Sequence, residues 1–209
     1  MYYQEAIREA AHRAAGAANE AIAAYDDDTV PYERGITDGL AVLLRSALHG
    51  QIENLTWRSH VLKDARGRGG EEATTGADLL IHVSFKSPEL SYSKGLLVQA
   101  KRVEKYEKMT QPAYDELVDQ YNKMIDITSH AWVFDYAHGG IRCAPASVIV
   151  GSNNKELYEQ CVWTPYRFFF ELFRCPIGDL RINSAKVEDL PVPNKLVTRV
   201  TVTATRERE

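Results

Sequence analysis

The alternation of helical and extended segments is the feature that most limits what this chain can fold into. Apolar residues spaced three and four apart predict amphipathic helices over residues 33–49 and 115–127. Short apolar segments bounded by turn residues are typical of β-strands. Six such segments occupy residues 56–62, 79–85, 96–103, 131–136, 147–150 and 196–205. A helix, three strands, a second helix and further strands predict an α/β fold, with helices flanking a mixed sheet.

The two ends of the chain extend this pattern. The alanine-rich segment at residues 1–25 predicts an N-terminal helix, which a run of three aspartates ends. The aromatic segment at 166–173 predicts a buried helix near the other end. We therefore divide the chain into an N-terminal helical arm, residues 1–28, and a main domain, residues 29–209.

Composition excludes several classes of protein. Hydrophobic residues make up 44% and charged residues 26% of the 209 residues, which is typical of a globular protein and not of a disordered chain or a coiled-coil rod. No apolar run approaches the roughly 18 residues of a membrane span, so no membrane association is expected. Cys143, Cys161 and Cys175 form no C-x-x-C pair, which predicts free thiols in a reducing, cytoplasmic compartment.

Polar residues at the predicted ends of two neighbouring strands form the candidate site. Asp78 opens the strand at 79–85, and Gln99 and Lys101 lie two positions apart on the next strand. Because alternate residues of a strand share a face, Gln99 and Lys101 project together. If the two strands pair as a hairpin, across a ten-residue loop at 86–95, Asp78 lies close to both.

This set of side chains suits metal-assisted hydrolysis of a phosphodiester. The carboxylates of Asp78 and of a glutamate are hard oxygen ligands for Mg²⁺ or Mn²⁺, and the carboxamide oxygen of Gln99 is a neutral one. A bound metal lowers the pKa of its water and stabilises charge on the phosphoryl oxygens. Lys101 is then expected to orient the attacking water and to offset the developing negative charge.

Thr75-Gly76-Ala77-Asp78, followed after an insert by Gln99-Ala100-Lys101, resembles the PD-(D/E)XK nucleases. The resemblance covers residues 30–150 and is closest to the Mrr-like and antiphage-defence branches, which carry a Q-x-K tripeptide. It implies a restriction-endonuclease-like core of order αβββαβ, with a three-stranded meander and the helix at 115–127 as its crossover. Gln120 lies where some branches place an additional polar site residue, although an ordinary helix position is the plainer interpretation.

The match departs from the family motif at two positions. Ala77 stands in place of the motif's proline, and Gln99 replaces the second carboxylate. Because less negative charge then holds the metal, another carboxylate gains importance. Glu72 and Glu33 are both candidates for a metal-binding and catalytic role, and the sequence leaves the choice between them open. Weaker candidates are Glu71 and Glu53.

The distribution of charge favours a nucleic-acid substrate modestly. The whole chain carries a net charge of −4, which excludes a generally basic surface. Residues 58–108 nevertheless hold ten Lys or Arg against seven Asp or Glu, a net of +3. The basic residues expected to contact the phosphates of double-stranded DNA are Arg66, Arg68, Lys101, Arg102, Lys105 and Lys108.

These observations predict a Mg²⁺-dependent DNA endonuclease. The resemblance suggests an effector of a prokaryotic antiphage or restriction system, controlled by a sensor or partner protein. Because a two-strand cut needs two sites, a homodimer or larger assembly is expected. Two alternatives remain open: a catalytically inactive scaffold of the same fold that binds nucleic acid or protein, and an enzyme that cleaves RNA.

Overall fold

The computed structural model describes residues 3–26, 33–62, 75–183 and 198–206. Their strands are β1 (Gly50–Ile52), β2 (Leu55–Leu62), β3 (Leu79–Lys86), β4 (Ser91–Lys101), β5 (Ala131–Ala137), β6 (Gly140–Pro145) and β7 (Thr198–Thr205). The helices are α1 (Gln4–Asp26), α2 (Glu33–Ala47), α3 (Gln111–Ile127), α4 (Ala146–Ser152), α5 (Leu157–Gln160) and α6 (Pro165–Arg174). The predicted α/β class, a mixed sheet flanked by helices, is confirmed.

The strands form one sheet in the order β1-β2-β7-β3-β4-β5-β6. β3 and β4 pair antiparallel, as predicted, with Leu79 opposite Val98. β4 and β5 pair in parallel, so α3 crosses one face of the sheet to connect them. The expected meander of the first three long strands is wrong, because β7 lies between β2 and β3. β7 carries the buried residues Val200, Val202 and Ala204, and such residues are typical of a strand that lies inside a sheet.

Three local predictions need correction. The segment at 147–150 is not a strand but part of α4, in which Ala146 and Ile149 are buried one turn apart. A short apolar run of this kind does not by periodicity alone distinguish helix from strand. The strand at 140–145 was not predicted. β4 begins at Ser91, so the expected ten-residue loop is a tight turn closed by the Ser87 N–H donating to the Leu90 carbonyl at 2.9 Å.

One face of the sheet carries the larger core, which α1, α2 and α6 cover. The side chains of α1 that face this core are mostly alanine, which lets α1 pack close to α2 and α6. Aromatic residues fill the space between α6 and the sheet, with Trp132, Phe134 and Phe169 each in edge contact with Phe168. The boundary that we predicted between residues 28 and 29 lies outside the described residues and stays a prediction.

The other face carries a smaller core beneath α3, α4 and α5. α3 begins earlier than predicted, because the Thr110 side chain accepts from the Ala113 N–H and a proline occupies the first turn. The helix passes close to Gly76, whose φ is 69°. A Cβ atom at Gly76 would lie 2.0 Å from the Gln120 carbonyl oxygen, so only glycine fits there. In the described ranges, no helix has the length and apolarity needed to cross a membrane.

The segment after α6 is fastened to the sheet through Asp179. Asp179 and Gly95 exchange two backbone hydrogen bonds, of 2.7 and 3.0 Å. The Asp179 carboxylate accepts from the Thr128 hydroxyl at 2.7 Å and from the Arg181 guanidinium at 2.6 Å. The Asp179 carboxylate accepts hydrogen bonds from Arg181, which have the larger effect, and from Thr128. These hydrogen bonds hold the pKa of Asp179 well below its usual range. The buried carboxylate is therefore a stabilising contact at neutral pH.

We expect Asp179→Asn to lower the free energy of unfolding by about 2 kcal/mol at pH 7, because it removes charge-assisted hydrogen bonds. A carboxylate with a depressed pKa stabilises the fold above its unfolded-state pKa, and this contribution is lost as the pH falls through the folded-state value. The difference between wild type and variant should thus shrink below pH 4. Urea unfolding at pH 7 and pH 3 measures it, with the exposed Asp126→Asn as control. An equal difference at both pH values would contradict the assignment.

Candidate active site

The Asp78 carboxylate and the Gln99 carboxamide meet at one end of the β3–β4 hairpin. Gln99 Nε2 donates to Asp78 Oδ2 at 2.5 Å, and the Ala100 backbone N–H donates to the same oxygen at 2.8 Å. The Asp78 backbone is held as well, because its N–H donates to the Val98 carbonyl and its carbonyl accepts from Thr198 on β7. Asp78 thus joins the beginnings of β3 and β7 to the end of β4.

Gln99 is completely buried, and its two amide atoms have different surroundings. Nε2 donates to the Ala100 carbonyl at 3.0 Å in addition to Asp78, and so bridges two oxygens. Oε1 has no hydrogen-bond partner in the part of the chain that the structure describes. A buried acceptor without a partner is uncommon in a folded protein, and it suggests that Gln99 has a further ligand.

The oxygen atoms at this site suit a magnesium-type ion better than a transition metal. Asp78, Gln99 and the Ala100 carbonyl supply only hard oxygen atoms with a single formal charge, and Mg²⁺ commonly takes one or two carboxylates and keeps several waters. Within the described ranges, no group of three or more His, Cys, Asp or Glu side chains could hold a metal ion. Gln99 Nε2 faces Asp78 in this structure, so Asp78 and Gln99 Oε1 would hold one ion together only with the carboxamide turned over.

Glu33 lies at the same end of the sheet, on the first turn of α2. Thr37, one turn later, donates to the Glu33 carbonyl at 3.2 Å, and its hydroxyl is 3.0 Å from that of Tyr136. Burial raises the pKa of Tyr136, and the charges of Asp78 and Glu33 raise it further. Both carboxylates therefore act on the same buried hydroxyl. Glu33 is therefore a candidate among the described residues for completing the site, and it would do so from α2, on the face of the sheet opposite to Gln99 and Lys101.

Lys101 ends β4, where its side chain is half-buried. It shares a face of the sheet with Gln99, as the alternation of β4 predicts. Its Cα partner on β5 is Asp135, and the Cα partner of Asp135 on β6 is Arg142. The order Lys101, Asp135, Arg142 across three strands places an acidic residue between two basic ones.

Asp135 is a buried acidic residue beside Lys101 that we did not predict. It is fully buried, its Oδ1 accepts from the Val103 N–H at 2.9 Å, and its Oδ2 has no partner in the described ranges. Burial raises the pKa of Asp135 to about 7, and the charges of Glu104 and Glu33 raise it as well. An acidic residue inside the apolar segment Ala131–Ala137 was the available signal, because a buried carboxyl group in a strand is rarely without a role.

The other predicted site residues are dispersed. Glu72, Glu71, Arg66 and Arg68 lie outside the described residues, so their roles stay predictions. Glu53 lies in the turn between β1 and β2 and does not join Asp78, because Thr56 pairs with Thr205 and Thr205 with Lys86, which places this turn at the other end of β3.

The basic residues that follow β4 differ in their contacts. The guanidinium carbon of Arg102 lies 5.4 Å from the ring centre of Tyr25, on the side of α1. Lys105 contacts the ring of Tyr106, and Lys108 forms an ion pair with Glu156 at 3.0 Å. Lys101 and Lys105 have no ion pair in the part of the chain that the structure describes.

Gln120 lies on α3, which covers the face of the sheet from which Gln99 and Lys101 project. It is buried, and its Nε2 lies 3.4 Å from the Glu116 carboxylate, while its Oε1 has no partner in the described ranges. The close contact of its backbone with Gly76 positions α3 against the residues that lead into Asp78. Gln120 therefore has a clear packing role, whether or not its side chain takes part in chemistry.

Comparisons of the chain with protein-family models, with curated proteins and with solved structures find no match.

Gln99→Glu tests the contact between the two side chains. The substitution replaces the amide donor at 2.5 Å from Asp78 by a second carboxylate, so the metal-free protein should lose about 2 kcal/mol of stability. Thermal unfolding in EDTA measures this loss, and the isosteric Gln120→Glu, which also faces a carboxylate, serves as the matched control. Adding Mg²⁺ should restore stability in the Gln99→Glu protein alone. The proposed metal ligands would be contradicted if Mg²⁺ restored the stability of both variants or of neither.

Asp135→Asn tests the buried acid. Because the folded-state pKa of about 7 lies above the unfolded value, Asp135 favours the folded state at low pH, and this stabilisation is lost as the pH rises through 7. The asparagine variant has no such titration. Its free energy of unfolding should therefore rise relative to wild type between pH 4 and pH 8, by up to about 4 kcal/mol. Urea unfolding at both pH values measures the change, and the exposed Asp115→Asn should show none.

Proposed function

We propose that the protein is a metal-dependent endonuclease that hydrolyses phosphodiester bonds in DNA. The observation that carries the proposal is the pairing of the Asp78 carboxylate with the buried Gln99 carboxamide, beside Lys101 on the same strand face. A carboxylate, a neutral oxygen ligand and a lysine at adjacent strand ends are the groups that metal-assisted phosphodiester hydrolysis uses.

The order of elements supports a restriction-endonuclease-like core. α2 precedes the strands, β3 and β4 form the hairpin that carries Asp78 and Gln99, and α3 crosses to the parallel strand β5. The insertion of β7 between β2 and β3 is a departure from the expected meander. It leaves the hairpin, the crossover and the parallel strand unchanged, and these three parts position the candidate site.

The residues have separate roles in this proposal. Asp78 and Gln99 hold the ion, and Glu33 or Glu72 completes its ligands. Mg²⁺ or Mn²⁺, when bound by these residues, would supply a water of lowered pKa and offset charge on the phosphate. Lys101 orients that water and donates to the phosphoryl oxygen on which charge develops.

The wider context follows the same proposal. Double-stranded DNA is the substrate, and two copies of the chain supply the two sites that a double-strand cut needs. The setting is a cytoplasmic antiphage or restriction system, in which a sensor or partner protein controls the activity. These steps rest on the family resemblance alone.

A non-catalytic scaffold of the same fold is the second candidate. The observation that favours it is that Gln99 Nε2 already satisfies Asp78 Oδ2, so this arrangement is stable without a metal. Such a protein would bind nucleic acid or another protein through its surface. It would show no metal binding that depends on Asp78.

Cleavage of supercoiled plasmid in Mg²⁺ or Mn²⁺ tests the proposal. We expect the wild-type protein to nick or linearise the plasmid, and Asp78→Ala and Lys101→Ala each to lower the rate by at least about 100-fold. The matched controls are Asp126→Asn and Lys123→Ala on α3, which should cleave at the wild-type rate.

Calorimetric titration with Mn²⁺ separates the two candidate functions when no cleavage is seen. Binding that Asp78→Ala abolishes would support an enzyme that awaits its partner. Equal titration curves for wild type and Asp78→Ala, together with no cleavage, would reject the nuclease and leave the scaffold.

A further inference from the structure

A strained and exposed tyrosine follows the strand that carries Lys101. The Glu107 N–H donates to the Glu104 carbonyl at 3.0 Å, which closes a turn with Tyr106 at its third position. Tyr106 has a φ of 70°, in the left-handed region, where turns normally use glycine or asparagine. Its side chain is 79% exposed, so no burial offsets this conformation. A bulky residue held in such a backbone conformation indicates a functional constraint.

The turn is held in place on both sides. The Val103 N–H donates to Asp135, and the Glu104 carboxylate accepts from the His138 backbone N–H, each at 2.9 Å. Beyond the turn, the Met109 N–H donates to the Lys155 carbonyl, also at 2.9 Å. The positive φ of Tyr106 therefore belongs to a fixed turn that presents the ring to solvent.

The ring forms one wall of an open cavity of about 540 Å³, which Lys105, Tyr106, Glu156 and Glu159 line. The Lys105 ammonium is 4.8 Å from the centre of the Tyr106 ring. The cavity thus combines an aromatic ring, a cation over one face of that ring, and two carboxylates, of which Glu156 is paired with Lys108.

This combination fits a nucleobase. The face of a tyrosine stacks on any base, and an ammonium group beside it attracts the phosphate of the same nucleotide. Carboxylates repel the phosphate but accept hydrogen bonds from base N–H groups, so the base faces inward and the phosphate outward. Bases inside a regular duplex are already stacked, and only an unpaired base can reach the ring.

We propose that the turn at residues 104–107 binds an unpaired base of the DNA strand that passes over Lys101, with the base stacked on Tyr106. Tyr106 follows Lys101 by five positions, which limits their Cα distance to about 18 Å, or a few nucleotides. The inference rests on the proposed function and defines its substrate class. The substrate is double-stranded DNA that also carries a single-stranded segment, such as a flap, a gap or a frayed end.

Binding of a single DNA strand of 12 nucleotides tests the inference. The strand contains the fluorescent base 2-aminopurine as the probe. The measurement is made in EDTA, which prevents cleavage, and stacking of the probe on tyrosine quenches its fluorescence. Wild type should bind and quench. Tyr106→Ala should bind about tenfold more weakly without quenching, whereas Tyr106→Phe, which keeps the ring, should stay within about twofold of wild type. Leu180→Ala, at a residue that is 61% exposed, is the control and should bind as wild type does.

Tyr106→Gly distinguishes lost stacking from misfolding. Glycine adopts the positive φ freely, so this variant should unfold at a temperature at or above that of wild type and still lose the strand. Affinity for a blunt duplex should be equal in all of these proteins.

The inference is overturned if wild type does not bind the single strand, or if Tyr106→Ala and Tyr106→Gly bind it as tightly as wild type does. Plasmid cleavage that depends on Asp78 would then leave the proposed function standing. Single-strand binding that depends on Tyr106, in a protein without Asp78-dependent cleavage or metal binding, would support the base site and reject the nuclease.

Discussion

The hydrogen bonds of Asp78 are the contacts on which the rest of the candidate site depends. Its carboxylate accepts from the Gln99 side chain and the Ala100 backbone, while its own backbone pairs with Val98 and Thr198. One residue therefore contacts β4 and β7 at the point where β3 begins. Hydrogen bonds to a half-buried carboxylate are strong, and removing the acceptor leaves the buried Gln99 amide without one of its partners. Stability and the candidate chemistry thus depend on the same atoms.

The two faces of the sheet carry apolar cores of different size. α1, α2 and α6 cover one face with a large apolar core, which supplies most of the buried area. The parallel pairing of β4 and β5 requires a crossover, and α3 makes it over the other face, where Gln99 and Lys101 project. Gly76 permits the close approach of α3. The smaller core can therefore accommodate polar groups at the ends of its strands.

Unsatisfied polar atoms concentrate on this second face. Gln99 Oε1, Gln120 Oε1 and Asp135 Oδ2 are buried acceptors without a partner among the described residues. Folded proteins pair nearly all of their buried polar atoms, so these three unpaired acceptors lower the stability of this region. The positive φ of Tyr106, just beyond the end of β4, is a second departure from the most stable arrangement in the same part of the molecule. Functional sites are where such departures are expected.

Local patterns in the sequence were sufficient for the α/β class, for the positions of most strands and helices, and for the hairpin that brings Asp78 to Gln99. These features depend on periodicity and on pairing between neighbouring segments, which a short stretch of residues specifies. Only the tertiary structure decided that β7 lies between β2 and β3, that 147–150 is helical, and that Asp135 lies beside Lys101. Those outcomes depend on which distant segments bury each other's apolar faces, and no local pattern encodes that choice.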